Sequence, residues 1–368
     1  RHDPRNPILA SGVDYGFYSA IARHFDEVRI VGPFTDHPPL IERGVRKAYQ
    51  TLTGKRYIKW DFHTIYRASA ALNRAVAEQQ PDVVFTIFPA GLATYRGGAP
   101  VVFNTDLTFV EWQAHGAGFG GLPLRYLNWL EKQAATHATR IIAHSRWGKQ
   151  SLVEQHGIDP GKVAIVPMPA ALPPESIPAA IAIREEKALD GPLRLLLVGR
   201  DYHRKGVDIA LEVVRLLNER GCPAHLTVCA SSGEPQAHVD YVGPYKKTDP
   251  QELAAYTGLY RRAHLLLHPA RFEPAGIVPG EAAAFATPTV TNDTGGLGTT
   301  VAHGESGIVL PKASPAAAYA DAIQALVSDA ARYYSLCETT RARYWRELNR
   351  DAAGERVAAL LREAAGDR

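Results

Sequence analysis

Short apolar runs that read as strands alternate with helical patterns along nearly all of this 368-residue chain, and that alternation constrains the fold most. Strand, helix and strand in succession make a crossover unit, and repeated crossovers build a parallel sheet covered by helices. In the first half the expected strands are 28–32, 83–88, 101–105, 141–145 and 163–167, with helical stretches at 63–79 and 124–136. The second half restarts at 193–199 and continues with strands near Leu226, Val242, Leu265, Thr289 and Ile308. Between the halves, Pro169, Pro173, Pro174 and Pro178 punctuate a segment that cannot continue as a helix. The chain is also longer than one hydrophobic core supports. The expectation is an α/β protein of two Rossmann-like domains, 1–167 and 192–349, joined by a linker at 168–191, with a C-terminal helix at about 350–368 packing back on the first domain.

Composition narrows the class. Apolar residues make up 46% and charged residues 21%, as in ordinary soluble proteins. No run approaches eighteen apolar residues, so no spanning segment is expected, nor is a signal peptide, although the chain begins at Arg1 without Met. Cys222, Cys229 and Cys337 lack metal-ligand spacing and read as reduced thiols of a cytoplasmic protein. A net charge of +3 is too small to argue for nucleic acid. Its distribution is more informative. Arg43, Arg46, Lys47, Lys55, Arg56, Lys59 and Arg67 stand against only Glu42 and Asp61, interleaved with Tyr49, Tyr57, Trp60 and Tyr66. Such a stretch is either a solvated helical face or a surface meeting an anionic membrane or a phosphorylated acceptor.

Three segments in the second half carry chemistry. The apolar run 196–198 passes into Gly199-Arg200-Asp201-Tyr202-His203-Arg204-Lys205-Gly206, a basic turn opening a helix whose apolar face is Ala210, Leu211, Val214 and Leu217. The strand ending at His268-Pro269 leads into Arg271-Phe272-Glu273-Pro274-Ala275-Gly276-Ile277-Val278-Pro279-Gly280-Glu281, with two glutamates separated by seven residues. A Gly-bearing turn that opens a helix offers N–H groups to an anion, and the carboxylates offer acceptors to hydroxyls. Third comes the strand 287–292 with the Gly295-Gly296 turn. Taken singly, each has a bland alternative: a solvated face, a solubilising turn, a plain loop.

Together and in this order they resemble retaining family-4 glycosyltransferases (glycosyl transferases group 1) of the GT-B architecture, in which two Rossmann-like domains face each other across a donor-binding cleft. The resemblance is strongest from Leu193 to Pro311 and also covers 11–33 and 100–167. It implies transfer of a hexosyl unit from a nucleoside-diphosphate sugar, UDP- or GDP-linked, to an acceptor hydroxyl with retention, in bacterial glycan or glycoconjugate synthesis. Arg200 and Lys205 match the diphosphate-binding pair, Glu273 the residue beside the donor sugar, and Glu281 the ribose ligand. Gly199, Ala275, Gly276 and Ile277 complete the donor site, and Gly12 matches a glycine that approaches the phosphates. No cofactor beyond that co-substrate is implied, and no metal, since the chain contains no Asp-x-Asp. The acceptor is expected to be a glycan, a lipid-linked molecule or a small molecule, with peripheral contact at the inner membrane face through 43–67.

Two departures matter. Residues 1–7 are polar and proline-broken where the family places its first apolar strand. Many relatives carry a His-Asp pair after the strand 101–105, whereas this chain has Thr105-Asp106. Asp106 is the candidate for the polar role near the acceptor, or else it caps a turn; His115, His144 and His203 are further candidates. A catalytically inactive nucleotide-sugar-binding subunit and a sugar-nucleotide epimerase are the alternatives.

Overall fold

The structure, a computed structural model, describes residues 5, 13–32, 40–55, 57, 62–87, 89–116, 118 and 121–366. The chain divides into two compact units, 1–166 with 354–368, and 167–353.

The first unit contains α1 (Val13–Ala22), α2 (Leu40–Thr53), α3 (Phe62–Gln79), β1 (Val84–Thr86), β2 (Val101–Thr105), α4 (Phe109–Ala114), α5 (Gly121–His137), β3 (Arg140–Ala143), α6 (Arg146–His156) and β4 (Val163–Ile165). Its described strands are parallel in the order β1-β2-β3-β4. Val101, Val102 and Phe103 are all buried, so β2 reads as a continuous apolar run because both its faces are covered. Leu72 and Val76 of α3 and Ala134 and Ala135 of α5 complete that core. Ser145 starts α6 by accepting the Gly148 N–H at 2.9 Å, and Gly157, at φ 67°, ends it in the left-handed region.

The expected strand at 28–32 is not formed: 27–32 have no regular structure. Val28 is 40% exposed and Arg29 pairs with neighbouring Glu27. Among the described residues no strand pairs with this segment, and a short apolar run without a ladder leaves its backbone groups to water.

The second unit contains α7 (Ile183–Glu186), β5 (Leu193–Val198), α8 (Tyr202–Lys205), α9 (Val207–Glu219), β6 (Ala224–Cys229), β7 (Val239–Val242), α10 (Pro250–Arg262), β8 (Leu265–His268), α11 (Ile277–Ala283), β9 (Thr289–Asn292), α12 (Leu297–Thr300), β10 (Gly307–Leu310), α13 (Ala316–Val327) and α14 (Ala330–Arg343). The parallel order is β10-β9-β8-β5-β6-β7. Alternate residues of β5 serve opposite faces. Leu193, Leu195 and Leu197 join α9 and α13, while Leu196 and Val198 join Tyr260 and Phe285. Because β5 pairs with both β6 and β8, the strand order reverses there, and the crevice outside their carboxyl ends is where such sheets bind ligands. A last helix, α15 (Arg350–Ala365), counts with the first unit from Gly354 onward. In that unit a Cβ on Gly354 would lie 2.6 Å from the Ala20 carbonyl oxygen, so glycine allows the close approach to α1.

Residues 168–191, expected as a linker, lie within the second unit and include α7. Fully buried Lys187 donates to the carbonyls of Tyr260, Arg261 and Ala263 at 3.0, 2.9 and 2.7 Å and to Thr287 Oγ1 at 2.7 Å. Burial lowers its pKa to about 7, and its place on the carboxyl end of α10, where the helix dipole favours positive charge, works the other way.

Two buried histidines are built for the neutral state. His144 Nδ1 lies 2.8 Å from the Val166 carbonyl and Nε2 lies 3.1 Å from Asn104 Nδ2. His264 Nδ1 accepts the Arg194 N–H at 2.9 Å while Nε2 donates to Ala188 O at 2.8 Å. A second ring proton would set donor against donor in each. Burial lowers both to about 4. An unfolded histidine takes its proton near pH 6.5, so the unfolded chain binds more protons between about 6.5 and 4, and stability falls across that window on acidification. Thermal unfolding from pH 7.5 to 4.5 should show the midpoint dropping already below about pH 6.5; a flat profile down to pH 5 would contradict the neutral assignment.

Candidate functional site

Two loops leave the carboxyl ends of β5 and β8. In the first, Asp201 caps α8 by accepting the Arg204 N–H at 2.9 Å, and the turn ends at Gly206, φ 71°. A Cβ on Gly206 would stand 2.1 Å from Pro269 O, so glycine lets this turn press on the second loop. Gly199 has a related role: its Cβ would lie 2.4 Å from Lys205 Cγ, and the bare backbone leaves room for the lysine stem. Across the loops, Arg271 makes a two-pronged pair with Asp208 at 2.7 and 2.6 Å, and its N–H donates to Arg204 O at 2.9 Å.

This packing brings Lys205 Nζ onto Glu273 Oε2, with Arg204 at 3.3 Å from the same oxygen. Burial alone would push the Glu273 carboxyl up, but the Lys205 ammonium outweighs it and holds the group well below the usual carboxylate range. Fully buried His268 sits behind, its Nε2 3.7 Å from Glu273 and outside hydrogen-bond reach. Neither ring nitrogen has a partner among the described residues, and burial lowers the imidazole to about 4, so it is neutral.

The Gly295-Gly296 turn supports the second loop from below. Gly296 N–H donates to Glu273 O at 2.8 Å, and Thr300 Oγ1 donates to Ala275 O at 2.7 Å. Gly276, at φ 73°, opens α11, and no side chain caps it, so the first N–H groups from Ile277 on have no side-chain acceptor. Glu281 lies further along α11 with different partners: Lys247 Nζ at 2.5 Å from Oε1, and the hydroxyls of Tyr256 and Tyr260 at 2.6 and 2.8 Å from Oε2. Burial, with the Glu281 charge beside them, raises both phenols well above their ordinary range.

Thus Gly199, Lys205, Glu273, Ala275, Gly276 and Ile277 are brought together, Glu281 adjoins them on α11, and Arg200 is exposed without a partner among the described residues. Gly12 lies outside the described residues. Asp106 is in the other unit, after β2. A Cβ on Gly148 would lie 2.5 Å from its carbonyl oxygen, so α6 packs directly on its backbone. The next residues are held by Thr108 contacting Ser151 and by Phe109 N–H donating to buried Glu131 at 3.1 Å. Glu131 also accepts from His156 at 2.7 Å, yet burial still pushes its carboxyl above the ordinary value. His144, with both ring nitrogens engaged, is structural.

Sequence reasoning missed Arg204, Lys247, Tyr256, Tyr260, His268, Glu131 and His156. Tyr256 and Tyr260, four apart on one helix, and His268 at a strand's carboxyl end were visible signals; the lysine that would meet Glu281 was not.

A model of glycosyl transferases group 1 matches residues 180–343, and a model of glycosyltransferase family 4 matches 15–170. A D-inositol 3-phosphate glycosyltransferase of Gordonia bronchialis is 28% identical over 273 residues, 66% of this chain and 58% of the relative. The chain spans only about half the length of the curated relatives it matches. Among solved structures, sucrose-phosphate synthase from Thermosynechococcus elongatus aligns with a TM-score of 0.61 at 20% identity, over 92% of this chain and 82% of that one. Anabaena HepE in complex with UDP-glucose aligns at 0.59 with 14% identity, over 90% and 98%. Both likenesses are of fold, two Rossmann-like units of the GT-B class.

A Cβ on Gly296 would stand 2.1 Å from Pro274 O, whereas one on Gly191 meets nothing within 4 Å. Gly296→Ala should therefore cost about 1–3 kcal/mol of stability by denaturant unfolding, and Gly191→Ala no more than about 0.5. Equal effects would show that the Gly-Gly turn does not support the Glu273 loop.

Proposed function

Because this chain belongs to the group 1 glycosyltransferases, with a family-4 N-terminal half, we propose that it transfers a hexosyl unit from a nucleoside-diphosphate sugar to an acceptor hydroxyl with retention, in the synthesis of a bacterial glycan or glycoconjugate. The observation that carries this reading is the Lys205–Glu273 pair at the reversal point of the second sheet. In the reaction the bond from the anomeric carbon to the diphosphate oxygen breaks, the electron pair leaves with the phosphate, and the acceptor oxygen bonds to the same face as its proton passes to the departing phosphate oxygen. Negative charge grows on the leaving group, where Lys205 and exposed Arg200 supply positive charge without reorganisation. Glu273, kept ionised, holds donor-sugar hydroxyls or the positive charge developing on the ring. Glu281 holds the ribose, and Asp106 serves the acceptor side. The metal-free reading rests on the missing Asp-x-Asp. UDP-glucose, held by the Anabaena structure, is the first donor to try.

UDP-glucose and other UDP- and GDP-linked sugars should be titrated by calorimetry with chelator present, and binding of at least one should persist. Steady-state kinetics should then separate two variants that remain folded. Lys205→Ala should lower kcat about a hundredfold or more, and Glu281→Ala should chiefly raise the donor KM. Unchanged turnover in the first, or unchanged KM in the second, withdraws that residue's role; donor binding without turnover favours an inactive binding subunit.

A peripheral contact with anionic lipid at the inner membrane face is the second part of the proposal. Among the described residues no helix is long and apolar enough to cross a membrane. On α2, however, Ile41, Val45, Ala48, Tyr49 and Leu52 recur at the spacing of one helical face, and Leu40, Ile41 and Leu52 are about 80% exposed. Arg43, Arg46 and Lys47 lie on the same helix; Arg56 and Lys59 of the expected basic stretch fall outside the described residues. An apolar stripe flanked by cations suits an anionic interface. Vesicles containing phosphatidylglycerol should sediment the protein at low salt and release it at high salt, and Ile41→Glu should abolish the binding. Failure to bind at low salt returns α2 to a solvated helix.

A further inference from the structure

Glu281 is only 1% exposed, and its two oxygens are employed differently. Oε2 is fixed by Tyr256 and Tyr260, both buried on α10. Among the described residues Oε1 has one partner, Lys247 Nζ at 2.5 Å, from the segment between β7 and α10. The Lys247 side chain is 26% exposed, so within this cluster it is the member that meets solvent. The ammonium also donates to Ala171 O at 3.2 Å and lies 5.1 Å from the centre of the Tyr256 ring. Two of its three protons are thereby directed at protein oxygens, and the third has no protein acceptor among the described residues.

A vicinal diol presents two hydroxyls, each able to donate and to accept. A carboxylate alone satisfies only the donors and leaves the hydroxyl oxygens bare; an ammonium beside it supplies the missing donor. We infer that Lys247 and Glu281 form one diol-binding unit, in which Oε1 accepts from the ribose of a nucleotide while Lys247 donates to it and holds the carboxylate in place. Tyr256 and Tyr260 prevent Glu281 from turning away, which makes Lys247 the specificity-determining partner for ribose over deoxyribose. This rests on the nucleotide-sugar reading and adds to it a residue outside the motifs that suggested that reading.

Calorimetric titration of UDP and GDP, each alongside its 2′-deoxy counterpart, tests the inference on wild type, Lys247→Met, Lys247→Arg, Glu281→Gln and the Lys247→Met/Glu281→Gln double variant. A hydrogen bond between charged and neutral groups supports an expectation of about a tenfold loss of ribonucleotide affinity in Lys247→Met. The 2′-deoxynucleotide should change by less than about twofold, Lys247→Arg should recover most of the loss, and adding Lys247→Met to Glu281→Gln should cost little more. Ribonucleotide affinity that is unchanged or tighter in Lys247→Met overturns the inference. So does an equal loss for both sugars, which would make Lys247 a general anion contact. A folded wild type that binds neither nucleotide overturns the donor reading itself, and the inference falls with it.

Discussion

A lysine ammonium and a glutamate carboxylate, both largely removed from water, join the two loops that define the centre of the second unit. Neither Lys205 nor Glu273 could be buried alone: breaking such a pair costs on the order of 3–5 kcal/mol because an uncompensated charge is left behind. The surrounding sequence follows from this demand. Gly199 is bare so that the lysine stem can lie across it, Gly206 lets α8 touch Pro269, and Arg271 reaches Asp208 to fix the loops in register. Gly296 then holds the glutamate's own backbone. The same pair offers a charged, desolvated and preorganised centre at the place where a parallel sheet of this order receives ligands.

A second line of support runs through α10. Lys187 ties the segment before β5 to the carboxyl end of this helix, and Tyr260, whose carbonyl receives that lysine, uses its hydroxyl to hold Glu281. The buried Lys187 side chain and the Glu281 carboxylate of α11 therefore both lean on one element, near the carboxyl end of α10. Loss of Lys187 would remove its hydrogen bonds to the Arg261 and Ala263 carbonyls and the Thr287 hydroxyl and leave Tyr260 O with the Thr287 hydroxyl as donor, and its effect would extend to Glu281 although the two residues never touch.

What could be read in advance was whatever local pattern encodes. The alternating strands and helices, the basic turn after β5, the two glutamates and the Gly-Gly turn all depend on residues near one another in the chain. Val28 to Gly32 misled because apolarity says nothing about whether a partner strand is present. Lys187 hid in a proline-rich stretch that looked like connection only, since its four acceptors lie about seventy to a hundred residues away. Lys247 was likewise invisible: nothing in Lys246-Lys247 says which ammonium turns toward Glu281. His144, a further candidate near the expected acceptor loop, has both ring nitrogens engaged by Val166 and Asn104, as a structural histidine does, and only the fold could show those partners.

The coupling between Lys205 and Glu273 is the claim on which the account stands, and a double-mutant cycle measures it directly. Lys205→Met, Glu273→Gln and the combined variant would be compared by denaturant unfolding with wild type. The account expects each single change to cost several kcal/mol and the double to cost clearly less than their sum, with a coupling of about 2 kcal/mol or more. Additive losses would mean that the two side chains do not sense one another, and the picture of a single charged centre organising both loops would be wrong.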